Sequence, residues 1–106
     1  MTNAIQEYAD ATGRPDWAEG LRSLPPHMID GVVRYLVRGI PPGSFLNAVL
    51  SNDLMGALRE ADDANRNALW AYGNFLYNCA PSDAYGSPER VAEWRGILDK
   101  QESDNE

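Results

Sequence analysis

The segment Ile40-Pro41-Pro42-Gly43 constrains this chain more than any other, because two prolines and a glycine in succession stop a helix. Ser44 follows and is a good N-cap, since its hydroxyl can accept a bond from the free N–H groups of the next turn. Leu46, Val49, Leu50, Leu54, Ala57 and Leu58 then recur at helical spacing, which predicts a helix from Phe45 to about Ala61. On a wheel of about 100° per residue taken from Leu46, Asp53 lies only about 20° from the centre of that apolar stripe. An ionised carboxylate on an apolar face is costly unless paired or well hydrogen-bonded. Asp53, with Asn52 beside it, therefore reads as part of a structural polar network. The functional alternative is a ligand-orienting carboxylate or an acid/base group.

The rest of the chain also reads as helices between breaks. A short helix is predicted over Ala4 to Ala11, stopped by Gly13, and Asp16 is placed to cap a turn from Trp17 to Leu21. Leu24-Pro25-Pro26 ends that turn. His27 to Arg38 forms the next helix, with Ile29, Val32, Val33, Leu36 and Ile40 on one face and His27, Arg34 and Arg38 on the other. Asp62 or Asp63 caps a helix over about 64–79, whose inward face is Asn65, Leu69, Tyr72, Gly73, Leu76 and Ala80. The short connection makes it an antiparallel neighbour of the Phe45 helix. Ser87-Pro88-Glu89 opens a last helix to about Leu98, with Val91, Trp94, Ile97 and Leu98 inward. The fold class expected is all-α: a compact single-domain bundle of about four to five short helices. Residues 1–16 form an N-terminal short helix or arm, 17–98 the helical domain, and 99–106 a flexible, disordered acidic tail.

The net charge of −7 is concentrated at the ends of the 106 residues. Residues 99–106 hold four acids and one Lys, residues 1–16 three acids and one Arg, and 17–98 nine acids and seven Arg. A near-neutral body between acidic ends argues against general nucleic-acid binding, which needs a basic face. No stretch approaches the roughly 18 consecutive apolar residues of a membrane span. No basic, apolar, small-residue run opens the chain, so no signal peptide is expected and the cytoplasm is the default location. The single Cys79 excludes an internal disulfide framework and a cysteine-based metal site.

Three groups of residues are binding candidates. Arg34 and Arg38, with His27, form a basic patch suited to a phosphate or a partner's acids; solvated arginines paired with nearby acids are the plainer reading. Ser44 sits where free N–H groups attract anions, but without a Gly-Lys-Ser/Thr sequence the turn is no nucleotide P-loop. Asn67, Asn74 and Asn78 fall on one side of the 64–79 helix, flanked by Trp70 and Tyr77, and such an amide face with aromatic borders suits a base, a sugar or another protein. Asn65, on the inner side, reads as a structural hydrogen bonder. Catalysis has no evident machinery: His27 is the lone histidine, there is no His pair for a metal, and Asp62-Asp63 reads as a helix start. No cofactor is implied.

The runs IPPGSFLNAVLSNDL, ADDANRNAL, FLYNCAP and YGSPERVAEW resemble a group of short proteins encoded by tailed bacteriophages and prophages, over about residues 24–98. The recurring elements fall on Gly43, Ser44, Phe45, Leu46, Asn52, Asp53, Leu54, Ala61, Asp62, Asn65, Leu76, Tyr77, Asn78, Ala80, Pro81, Gly86, Ser87 and Trp94. The resemblance carries over no catalytic residue. It implies a phage accessory protein acting in the bacterial cytoplasm. The function expected is non-enzymatic inhibition of a host system, an antiviral defence above all, by binding a host protein or sequestering a nucleotide-type small molecule. The competing class is a phage structural or assembly module acting through helix-mediated homo-oligomerisation.

Overall fold

The computed structural model describes residues 3–104, and among them the chain is entirely helical and turn, without strands. Nine α-helices follow in order: α1 (Ala4–Thr12), α2 (Pro15–Glu19), α3 (Pro26–Arg38), α4 (Ser44–Leu50), α5 (Leu54–Glu60), α6 (Asp63–Asn67), α7 (Leu69–Cys79), α8 (Pro88–Glu93) and α9 (Ile97–Asp104). Short 3₁₀ turns at Gly20–Ser23 and Ser82–Ala84 join some of them. Proline occupies the first turn of α2, α3 and α8, where its missing N–H is not needed. Gly13 and Gly39, in left-handed conformation, end α1 and α3. The Cα radius of gyration is 13.1 Å, as for a folded single domain of about 100 residues.

The core is built around α3, where Val32, Val33, Tyr35, Leu36 and Val37 are all buried. So many neighbouring buried positions require cover on several sides, and α1, α9 and the Gly20–Ser23 turn supply it. Tyr8 of α1 stacks at a tilt on Phe75 of α7, with ring centroids 6.0 Å apart, and Phe45 of α4 meets Tyr72 of α7 edge to face at 5.3 Å. Each buried tyrosine hydroxyl has an acceptor: Tyr8 donates to the Cys79 carbonyl, Tyr35 to the Ala84 carbonyl at 2.6 Å and Tyr72 to Asn65 Oδ1 at 2.7 Å. Trp94 donates its indole N–H to the carbonyls of Tyr35 and Leu36, in the last turn of α3.

Two glycines permit a close approach of backbone to backbone. Gly39 ends α3 at φ +73° and Gly96 precedes α9 at φ +104°. A Cβ on Gly39 would lie 2.5 Å from the Arg95 backbone, and one on Gly96 would lie 2.4 Å from the Val37 carbonyl oxygen. The α8–α9 link thus presses directly on the end of α3. Gly20 plays a milder version of this part: its missing side chain makes room for Cys79 at the end of α7.

Several sequence expectations are corrected. The helix expected over Phe45–Ala61 is two helices. Asn52 adopts a left-handed φ of 65°, which asparagine tolerates better than most residues, and breaks it. Asp53 then caps α5 by accepting the Gly56 N–H at 2.9 Å, and a Cβ at position 56 would crowd that carboxylate in its present rotamer. Asp53 is thus an exposed cap rather than a charge inside an apolar stripe. The 64–79 helix is likewise divided at Ala68, with Asp62 capping α6 through the Asn65 N–H. The expected antiparallel pair does not form: α4 packs chiefly on α5, while α7 packs on α2 and the Gly20–Ser23 turn. Gly43 rather than Ser44 occupies the N-cap of α4, and α2 begins at Arg14-Pro15 rather than on an Asp16 cap. Ser87 does cap α8, accepting the Arg90 N–H, but the helix to Leu98 is interrupted at Trp94–Gly96. Gly73, Ile40 and Leu98, expected inward, are exposed. The short helix or arm expected over residues 1–16 contains the helix α1, which packs into the core through the fully buried Tyr8. Residues 99–104 of the expected tail continue α9, while 105–106 lie outside the described residues.

Candidate binding surfaces

The outer side of α7 is the first candidate. Its eleven residues, Leu69 to Cys79, include no charged side chain. Tyr72, Phe75 and Leu76 fill the core, while Trp70 is 78% and Tyr77 81% exposed. These two are seven residues apart and so share a helix face. Alongside, α5 presents Leu54 at 63% and Met55 at 70% exposure, with Leu58 partly exposed. A shallow groove of about 140 Å³ runs between the helices, lined by Val49, Asp53, Leu54, Ala57, Leu69 and Gly73. Gly73, bare of a side chain, keeps that groove open; a Cβ there would touch nothing. The apolar members from α5 escape sequence reading, because their exposure follows from the break at Asn52.

The expected amide stripe is only partly assembled. Asn74 and Asn78 are exposed on α7, and the Asn78 amide donates to the carbonyl and to Oδ1 of Asn74 at 3.0 Å. Asn67 is exposed but belongs to α6, beyond the break at Ala68. Asn65 is buried and accepts from Tyr72, whereas Asn52 and Asp53 are exposed in the α4–α5 turn. These three polar residues therefore do two separate jobs, closing the core and turning the chain.

The second candidate is a cleft of about 510 Å³ between α3 and the Ile40–Leu46 segment, within the size range of small-molecule sites. His27, Asp30, Gly31 and Arg34 line it from one face of α3, the Pro41-Pro42-Gly43-Ser44 turn from the other side, and Asn65 from α6. Arg34 and Ser44 thus share a cavity, as Arg34 and Arg38 do not. Arg38 points to Glu7 of α1, with Nε 3.1 Å from Oε1, and lines a different depression with α1 and α9. His27 Nε2 lies 3.2 Å from Asp62 Oδ2. The Asp62 carboxyl is held below its ordinary range, first by the Asn65 N–H it accepts and then by His27, against partial desolvation. Neither Trp70 nor Tyr77 lines this cleft. Gly31 offered an earlier signal, being a glycine within a helical run without a turn to explain it.

Among the described residues no group of three His, Cys, Asp or Glu side chains is placed to hold a metal ion. No helix among them is long and apolar enough to cross a membrane. Burial raises the pKa of the Cys79 thiol, with the nearby Asp16 carboxylate adding to the effect, which disfavours the nucleophilic thiolate. The arrangement offers exposed apolar side chains on α5 and α7 and hydrogen-bond donors in the α3 cleft. Compared with protein-family models, curated proteins and solved structures, the chain has no match.

Proposed function

We propose that this chain is a non-catalytic bacteriophage accessory protein that inhibits a host process, an antiviral defence above all, by binding a host protein through the outer face of α5 and α7. The observation that carries the reading is the exposure of Trp70, Tyr77, Leu54 and Met55 on and beside a helix without a single charge. Tryptophan, tyrosine and methionine are enriched at protein interfaces, and charged residues are depleted at their centres. The net charge of −7 favours a partner whose apolar groove has a basic rim. The phage assignment rests on the resemblance of residues 24–98, and the bacterial cytoplasm follows from it. Sequestration of a nucleotide between Arg34 and Ser44 on one side and Trp70 and Tyr77 on the other is the weaker version, because these residues do not line one cavity.

The test is affinity capture from phage-infected bacteria with the wild-type chain and the double variant Trp70→Ala/Tyr77→Ala, followed by reconstitution with the purified partner. A host protein that binds the wild type directly and is lost from the variant is the expected result. Recovery of phage capsid or tail proteins alone, or self-association abolished by the same variant, would replace the inhibitor reading with a phage assembly module.

A further inference from the structure

Gly31 lies inside α3, where an interior glycine costs about 1 kcal/mol relative to alanine. A Cβ at this position would meet nothing within 4 Å. The backbone therefore does not require glycine here, and the space it leaves belongs to the cleft between α3 and the Ile40–Leu46 segment. Two polar groups face that space without partners. Asn65 is only 4% exposed; its Oδ1 accepts from Tyr72, and its Nδ2 has no acceptor among the described residues. Every fully buried side-chain nitrogen and oxygen among those residues does have a partner. Asn65 Nδ2 thus keeps a small opening to solvent, and the cleft lined by Asn65 provides it. Arg34, one turn beyond Gly31, makes no ion pair among the described residues, whereas Arg38 one turn further is held by Glu7. Met28, Pro41, Pro42 and Phe45 add apolar surface to the lining of the same cleft.

We infer that this cleft binds a small organic anion with a flat apolar body, Asn65 Nδ2 donating to an acceptor on its inner edge and Arg34 meeting a phosphate or carboxylate at the mouth. Met28, Phe45 and the prolines cover the body of the ligand. Asp30, on the same wall, opposes a second anionic group and so favours a compact anion over a polyphosphate. A nucleoside monophosphate and an aromatic carboxylate share this chemistry. The site is independent of the α5–α7 face and of the function proposed for it.

The experiment is an amide-resolved NMR titration of the full chain with UMP, AMP and benzoate, using adenosine and inorganic phosphate as controls. Saturable shifts are expected at Gly31, Arg34, Ser44 and Asn65 with at least one organic anion, at an affinity about tenfold or more above either control. Preference for a nucleotide over benzoate, or the reverse, identifies the source of the ligand, and both support the site. Gly31→Leu fills the cleft and raises the melting temperature, with affinity falling about tenfold or more. Arg34→Met weakens the anions to a similar degree and leaves adenosine unchanged. Trp70→Ala/Tyr77→Ala leaves the titration unchanged. The proposal is overturned if no probe saturates, if inorganic phosphate binds as well as the organic anions, or if Gly31→Leu binds like wild type.

Discussion

The two sides of α7 put the same kinds of residue to opposite uses. On the inner side Tyr72 and Phe75 are buried, and the Tyr72 hydroxyl is consumed by Asn65. On the outer side Trp70 and Tyr77 stand in solvent, and neither indole N–H nor phenol O–H has a partner among the described residues. Position alone decides the difference. The inner aromatics meet Tyr8, Phe45 and the Gly20 turn, each with space already provided, while the outer ones face no other element. Burial with satisfied polar atoms marks a residue that holds the fold together. Exposure of an equally large ring, on a helix lacking charge, leaves a residue that adds little to the fold, and the function proposed above rests on that surplus.

This contrast sets an order of expected effects. The largest belongs to the backbone crossing beneath the core. Gly96→Ala is expected to cost about 3 kcal/mol or more in urea unfolding, because a strained φ and a clash with the Val37 carbonyl add together. A loss below about 1 kcal/mol would mean that α8–α9 can retreat from α3, and that the core is less rigidly closed than described. Next comes Tyr72→Phe, which leaves Asn65 Oδ1 buried and unpaired and should cost about 1–3 kcal/mol. The matching change on the outer side, Tyr77→Phe, should alter stability by less than about 0.5 kcal/mol. Equal effects of these two substitutions would erase the distinction between the sides.

A pH titration sharpens the same point. Burial pushes the Tyr35 pKa up to about 12 and raises those of Tyr8 and Tyr72 still further. A pKa raised on folding means that the folded chain holds the proton more tightly than the unfolded one. The stability it confers is full below the unfolded value near 10 and is lost as pH rises through about 12. Unfolding midpoints measured from pH 8 upward should therefore begin to fall near about 10. The smallest effect concerns a turn. Asp53→Ala removes the α5 cap and should cost about 1 kcal/mol, measured by the shift in unfolding midpoint. A much larger loss would restore the buried-network reading of that residue.

Much of the helical plan was legible. Proline and glycine punctuation located the starts of α3 and α8 and the ends of α1 and α3, because those residues act through local backbone geometry. Of the three internal breaks, the one at Trp94–Gly96 carries a glycine, and the other two were not legible. Asn52 and Ala68 interrupt their helices without proline or glycine, and the apolar period continues across both as though nothing had happened. That error made Asp53 look buried and hid the exposure of Leu54 and Met55. The cleft was half legible: Arg34 and Ser44 were candidates, but their meeting with Asn65 depends on α6 reaching back to α3, a tertiary fact. Arg38 was drawn away by Glu7, a residue 31 positions earlier that no spacing rule connects with it.

The central claim is that the exposed face of α5 and α7 exists to meet another protein. It is tested most directly by placing a photo-crosslinking amino acid at Trp70 and, separately, at Glu19, then irradiating bacteria that make the chain. A covalent adduct with one host protein from position 70, and none from position 19, is the predicted result. Adducts only with a second copy of the chain, or equal yields from both positions, would contradict it.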